Sequence, residues 1–263
     1  AGYGMQIKTD YFSWIDCGSQ SENILRLGVE AEVMEGILVT GSIQEQVRTI
    51  NQMNGPAEMV PTWALGPWMS SNNWDSEAEV RKQVELTKKH GIPSTVLVIE
   101  AWSDEATFYI FNDAVYEEKP EGGILNYDDF SFPEWGRWPD PKGMVAYLHK
   151  NDLKCILWQI PVIKQITSLQ HRQKTMDEAY FIKQGFAVKN PDGSPYRMPE
   201  GWFKDSLLMD FSHEKASKWW FDQRQYLIDD LGVDGFKTDG GEFVFGYDLK
   251  FADGRTGREM RNA

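Results

Sequence analysis

The chain has 263 residues, 41% of them hydrophobic and 13% aromatic, enough to bury a sizeable core in one large domain or one and a half smaller ones. Its net charge of −13 argues against nucleic acid or an anionic membrane surface as a partner and suits a neutral or cationic ligand. Cys17 and Cys155 lack metal-binding or redox spacing, no run reaches the length of a transmembrane helix, and the first residues do not read as a signal peptide. A buried thiol at Cys155 and a cytoplasmic location are the expectations, and oligomerisation stays open.

Residues 1 to about 41 alternate in polarity, as in Leu25-Arg-Leu-Gly-Val-Glu-Ala-Glu-Val33, which is strand patterning with one wet face. This reads as the end of an antiparallel sheet domain. Ser42 and Glu45 make a capping box that opens a helix ending near Gly55. The linker from Pro56 to Pro61 marks a boundary between a first unit, 1–55, and a second, 56–263. From Thr62 strands and helices alternate. Thr62 to Met69 is predicted as a strand, Ser76 caps a helix running to about His90, and Ser94 to Glu100 is an almost wholly apolar strand of the kind buried on both faces. A long aromatic loop, Ser103 to Trp138, leads to a helix opened by Asp140-Pro141. Lys154 to Ile160 is a third strand, followed by an insertion over 162–206 with a turn signal at Asn190-Pro-Asp-Gly193. Leu207 to Phe211 is a short strand, Ser212 to Leu231 a helix, and Val233 to Thr238 the fourth strand of the alternating series, ending in Asp239 and Glu242.

Acids at the carboxyl ends of parallel strands are the arrangement of a (β/α)8 TIM-barrel rim. Such a barrel takes about 250 residues by itself, so this chain is read as its first half, either part of a longer protein or completed by a partner chain. Eleven tryptophans, several near strand ends, suit a cleft in which flat rings stack on pyranose faces; core packing is their plainer reading.

The ordered set Pro61-Thr-Trp-Ala-Leu-Gly-Pro-Trp68, Glu100-Ala-Trp102, Leu157-Trp-Gln-Ile-Pro161, Met209-Asp-Phe-Ser212 and Phe236-Lys-Thr-Asp-Gly-Gly-Glu242 resembles glycoside hydrolase family 31, over about residues 35 to 245. The resemblance implies a β-sandwich before the barrel and retaining, exo-acting hydrolysis of α-glycosidic bonds without a cofactor or metal. By motif position Asp239 would be the nucleophile. Glu100 and Lys237 would hold sugar hydroxyls, and Trp102 and Trp158 would wall the site. Glu242 would support the loop. The family's acid/base aspartate lies on a later strand and has no counterpart here. Asn73 stands where xyloside-type relatives can place a ring that crowds out the hydroxymethyl group, so an α-glucoside or α-galactoside is expected over an α-xyloside. Two rivals remain: a metal-dependent barrel lyase with Glu100, Asp210 and Asp239 as magnesium ligands, and a sugar-binding remnant that lacks the acid.

Overall fold

The computed structural model describes residues 2–55, 57–166, 171–240 and 242–261. The chain opens with two antiparallel pairs. Strand β1 (Gly2–Lys8) pairs with β4 (Glu35–Gly41), and β2 (Ser13–Cys17) with β3 (Leu25–Val29). Helix α1 (Ile43–Asn54) follows, its start fixed by the reciprocal Ser42–Glu45 capping box that the sequence announces.

After α1 come four parallel strands: β5 (Trp68–Ser71), β6 (Val96–Ile99), β7 (Lys154–Gln159) and β10 (Gly235–Thr238), in spatial order β10-β7-β6-β5. Helix α2 (Glu77–Lys89) connects β5 to β6, and α3 (Pro141–Lys150) precedes β7. Side chains alternate across this sheet, and the two faces differ in kind. Leu97, Ile99, Cys155 and Leu157 point to the helices and share one core with Val80 and Val84 of α2 and with Met144 and Leu148 of α3. Each fully buried aliphatic here contributes roughly 1.5–3 kcal/mol. The buried Cys155 thiol has its pKa pushed up by desolvation. On the other face Val96, Val98 and Ile156 pack with Trp63, and the register Lys237↔Trp158 and Ser70↔Val98 sets Ser70, Glu100, Trp158, Lys237 and Asp239 on that same face.

The start of β10 is tied down by Asp234. Its carboxylate accepts from Lys154 Nζ at 2.7 Å and from the Cys155 backbone N–H at 2.9 Å, and it lies 2.7 Å from His149 Nε2. Partial burial opposes ionisation there, but these donors outweigh it and hold the carboxyl below its ordinary pKa.

Several elements differ from their sequence reading. Thr62–Leu65 is a turn of 3-10 helix, and β5 starts only at Trp68. Pro61 and Pro67 bracket this segment, and Thr95 Oγ1 ties it down by donating to the Trp63 carbonyl at 2.7 Å. The insertion contains a helix the sequence reading lacks, α4 (Arg172–Gln184), capped by the His171 ring and closed by Gly185 at φ +70°. Strand β8 (Val162–Ile163) pairs antiparallel with β9 (Leu207–Leu208), outside the parallel sheet. The predicted turn is present, with Gly193 N–H donating to Asn190 O and Tyr196 N–H to Val188 O. The long helix over 212–231 is two, α5 (Glu214–Asp222) and α6 (Gln225–Asp229). The break falls at Arg224, whose guanidinium turns inward, donates to Gln159 Oε1 at 2.6 Å and lies 3.7 Å from the Trp220 ring centre. Burial lowers its pKa to about 9. His213, not Ser212, caps α5, because the Ser212 hydroxyl is spent on Asp210 Oδ1 at 2.6 Å. A last short helix, α7, covers Gly257–Met260. No helix among the described residues is long and apolar enough to cross a membrane.

Candidate active site

At the carboxyl ends of the parallel strands lies a cavity of about 530 Å³, lined among others by Asn72, Asp75, Glu100, Phe108, Arg137, Trp158, Trp202, Lys237 and Asp239. Its size falls within the roughly 300–1,000 Å³ of small-molecule sites. Asp239 directly follows β10 and is exposed to this space. Both of its carboxylate oxygens are engaged: Oδ2 accepts from Trp158 Nε1 at 2.9 Å and Oδ1 from the Gly240 backbone N–H at 2.9 Å. Gly240 stands at φ +72°, where a Cβ would come 2.4 Å from Phe243, so the turn behind the carboxylate takes only glycine without rearrangement.

Lys237 projects from the same face two positions earlier. Its ammonium donates to Glu100 Oε1 at 2.8 Å rather than to Asp239, and Ser70 Oγ donates to the same oxygen. The pair is asymmetric in exposure, with the Glu100 side chain 10% and the Lys237 side chain 44% accessible. Glu100 is thereby presented as a fixed acceptor on the cavity floor, and Lys237 keeps donor capacity for a ligand.

Trp158 is 7% exposed and meets Phe108 edge-on at 5.5 Å. Phe108 adopts φ +59°, a left-handed conformation that strains a bulky residue. The strain is held by Asp104, whose carboxylate accepts from the backbone N–H groups of Ala106 and Thr107 and from the Thr107 hydroxyl.

Trp102 does not wall the cavity. It is fully buried, packs edge-on against Phe111 at 4.8 Å and donates from Nε1 to the Trp158 carbonyl at 2.9 Å. The strand-end position that suggested the cleft instead turns its indole back into the core. Asn73 is likewise displaced: it sits in the exposed turn after β5 with its N–H on Ser71 Oγ, and its neighbour Asn72 lines the cavity. Glu242 lines an adjoining hollow with Phe211, Trp220, Thr238 and Gly240, which Asp239 also borders. Asp210, weighed as a metal ligand, is buried, accepts from Ser212 and from the Ala252 N–H, and does not line the cavity. The three acids therefore do not converge, and among the described residues no group of three His, Cys, Asp or Glu could hold a metal ion. Trp202, Phe108, Arg137 and Asp75 line the site without having been predicted. For Trp202 a signal existed in Gly201-Trp202-Phe203, an aromatic pair behind a glycine inside the insertion.

Comparison with known proteins follows the same geometry. Residues 57–263 match the model of the glycosyl hydrolases family 31 TIM-barrel domain. The isomaltosyltransferase of Sporosarcina globispora is 41% identical, with all of this chain aligned to 24% of that protein. The 1,3-alpha-isomaltosidase of Kribbella flavida is 37% identical, covering 99% of this chain and 36% of its own length. A cycloalternan-degrading enzyme from Trueperella pyogenes, solved in complex with cycloalternan, superposes with a TM-score of 0.92 at 37% identity, over 99% of this chain and 36% of that one. The chain thus spans about a quarter to a third of the curated relatives it matches. With residues 57–263 matching that domain and the parallel strands carrying Glu100 and Asp239 at their carboxyl ends, the chain belongs to glycosyl hydrolase family 31, as part of its TIM barrel.

Proposed function

We propose that the protein carrying this chain is a retaining glycosidase of α-linked glucosyl oligosaccharides with Asp239 as its nucleophile, and that its substrate ends in an isomaltosyl unit. The observation that carries the reading is the carboxylate of Asp239, open to the cavity and oriented by donors on both oxygens. In the first step an Asp239 oxygen bonds to the anomeric carbon as the glycosidic bond breaks, and the departing oxygen takes a proton from an acid. Water, deprotonated by that same group, then displaces Asp239 and restores the original configuration. A sugar hydroxyl in place of water makes the same cycle a transfer reaction. The acid/base is assigned to the part of the barrel outside these residues.

Glu100, held by Lys237 and Ser70, accepts from a hydroxyl of the reacting sugar, and Lys237 donates to another. Trp158 closes one side of that ring. The isomaltosyl preference draws on the names of the two curated relatives; it replaces the expectation of a single terminal hexose as the recognised unit and leaves xylosides and galactosides as poor substrates.

The test uses full-length protein on 4-nitrophenyl α-glucoside, α-galactoside, α-xyloside and α-isomaltoside. The two glucosyl substrates should turn over, and Asp239→Ala should lower kcat by at least about 10³-fold without changing the thermal midpoint. Normal rates in the variant would refute the nucleophile assignment.

A further inference from the structure

Trp202 is 69% exposed, yet it is far from a free surface ring. Its indole leans on Phe203 at 4.7 Å and on Trp158 at 6.0 Å between centroids, tilted by 39° to each. Phe203 is buried to 1% exposure. One side of the Trp202 ring is therefore propped by rigid aromatic matter, and what is left open lies at the lining of the cavity that holds Asp239. An indole in this position leaves a large apolar face in water, and covering such a face is favourable.

The loop that delivers it is built rather than loose. Gly201 turns at φ +82° and its carbonyl accepts from Lys204 N–H; Asp205 N–H closes back onto Met198 O at 2.8 Å. Arg197 clamps the segment from the side, donating to Asp205 O at 2.7 Å and to Glu178 of α4 at 2.8 Å. Lys174 also pairs with Glu178. These contacts within the insertion brace the segment that carries Trp202 at the cavity lining. Trp158, bonded to Asp239, is nearly covered, and Trp202 beside it keeps one side open. The same lining includes Asp75 and Arg137, the latter fixed by Asp113 at 3.0 Å, and this mix of rings and charged groups suits a ligand with apolar ring faces and a hydroxylated rim.

We infer that Trp202 is the platform for the second sugar ring of the isomaltosyl unit, one residue further from the scissile bond than the ring held by Trp158 and Glu100. Trp202, supplied by the insertion and not by a barrel strand, then sets whether the enzyme recognises one glucosyl unit or two. The inference rests on the reading of Asp239 as nucleophile, and its test is chosen to separate the two.

Full-length wild type, Trp202→Ala and Trp202→Phe are assayed on 4-nitrophenyl α-glucoside and 4-nitrophenyl α-isomaltoside, which share a leaving group and differ by one ring. Trp202→Ala should lower kcat/KM for the isomaltoside about tenfold more than for the glucoside, and Trp202→Phe should recover most of the difference. In parallel, calorimetric titration with isomaltose on the Asp239→Ala background should show about tenfold weaker binding after Trp202→Ala, with glucose affected far less. Equal losses on both substrates, or isomaltose binding unchanged by Trp202→Ala, would overturn the inference. A wild type that binds isomaltose through Trp202 but turns over neither glycoside would instead refute the nucleophile reading and leave the platform standing.

Discussion

Replacing Trp158 by phenylalanine removes the indole N–H beside Asp239 together with its five-membered ring and keeps a six-membered aromatic ring in its place. In the structure that N–H donates to Asp239 Oδ2 at 2.9 Å, and the other donor to this carboxylate is the Gly240 N–H on Oδ1. With Trp158→Phe the carboxylate keeps one anchor and gains freedom to turn about its Cβ–Cγ bond, away from the line of attack. A hydrogen bond to a charged group is worth about 1.5–3 kcal/mol net, so kcat/KM should fall by about 10- to 150-fold. The loss should appear mainly in kcat, since a phenyl ring at this position still meets Phe108 and still lines the cavity. The assay is steady-state turnover of 4-nitrophenyl α-glucoside by full-length protein, with thermal denaturation run alongside to register any packing loss. A variant within twofold of wild type in kcat/KM would show that the indole N–H does not orient the carboxylate, and the positioning argument would fail.

Trp102→Phe should act differently: it withdraws a buried donor from the Trp158 carbonyl and lowers unfolding free energy by about 1–3 kcal/mol in denaturant titration, while isomaltose affinity changes little. Lys237→Met should raise KM for the aryl glucoside by about tenfold and free Glu100 from its clamp; an unchanged KM would place Lys237 outside the binding site. Asp177 predicts a pH effect on stability. Burial pushes its carboxyl up to about 6, against the hydrogen bonds it accepts from Tyr109 and Gln173. A folded pKa above the unfolded one means the contribution is full below about pH 4 and is lost as pH rises through about 6, a change of roughly 3 kcal/mol at most. His171, raised above its ordinary value by Asp104, pulls in the same direction near neutrality. The thermal midpoint should therefore fall between pH 4.5 and pH 7, and Asp177→Asn should flatten that slope; an equal slope in the variant would sink the assignment.

The sequence carries the parallel strands clearly where both faces are apolar, as in Val96–Ile99 and in the Cys155–Leu157 run, because burial on both faces leaves an uninterrupted hydrophobic signature. Helix starts are equally legible where a side chain alone makes the cap, at Ser42, Ser76 and Asp140. The segment 212–231 misleads because its apolar spacing is helical throughout, whereas the interruption comes from a buried arginine seeking Gln159, a contact 65 positions distant that no local pattern announces. Helix α4 is weakly amphipathic in sequence because it buries Gln173, Lys174 and Asp177 in a polar network rather than an apolar stripe. Within the site, period-two alternation places Lys237 and Asp239 on one face, and that much follows from residue order. The fates of Trp102 and Trp202 do not. Both are tryptophans outside the strands, and which one is covered depends on whether the long aromatic loop or the insertion folds over it.

The anchoring of Asp234 bears on the chemistry from the far end of the strand. Sliding β10 by one residue along β7 would exchange Lys237 and Asp239 for Phe236 and Thr238 at the mouth, turning the acid toward the helices and an aromatic ring toward the cavity. Gly235–Thr238 is only four residues long and offers few ladder bonds to resist such a slip. The triple grip of Lys154, Cys155 and His149 on Asp234 acts as an index pin, so that a carboxylate at the base of the sheet decides which carboxylate arrives at the top.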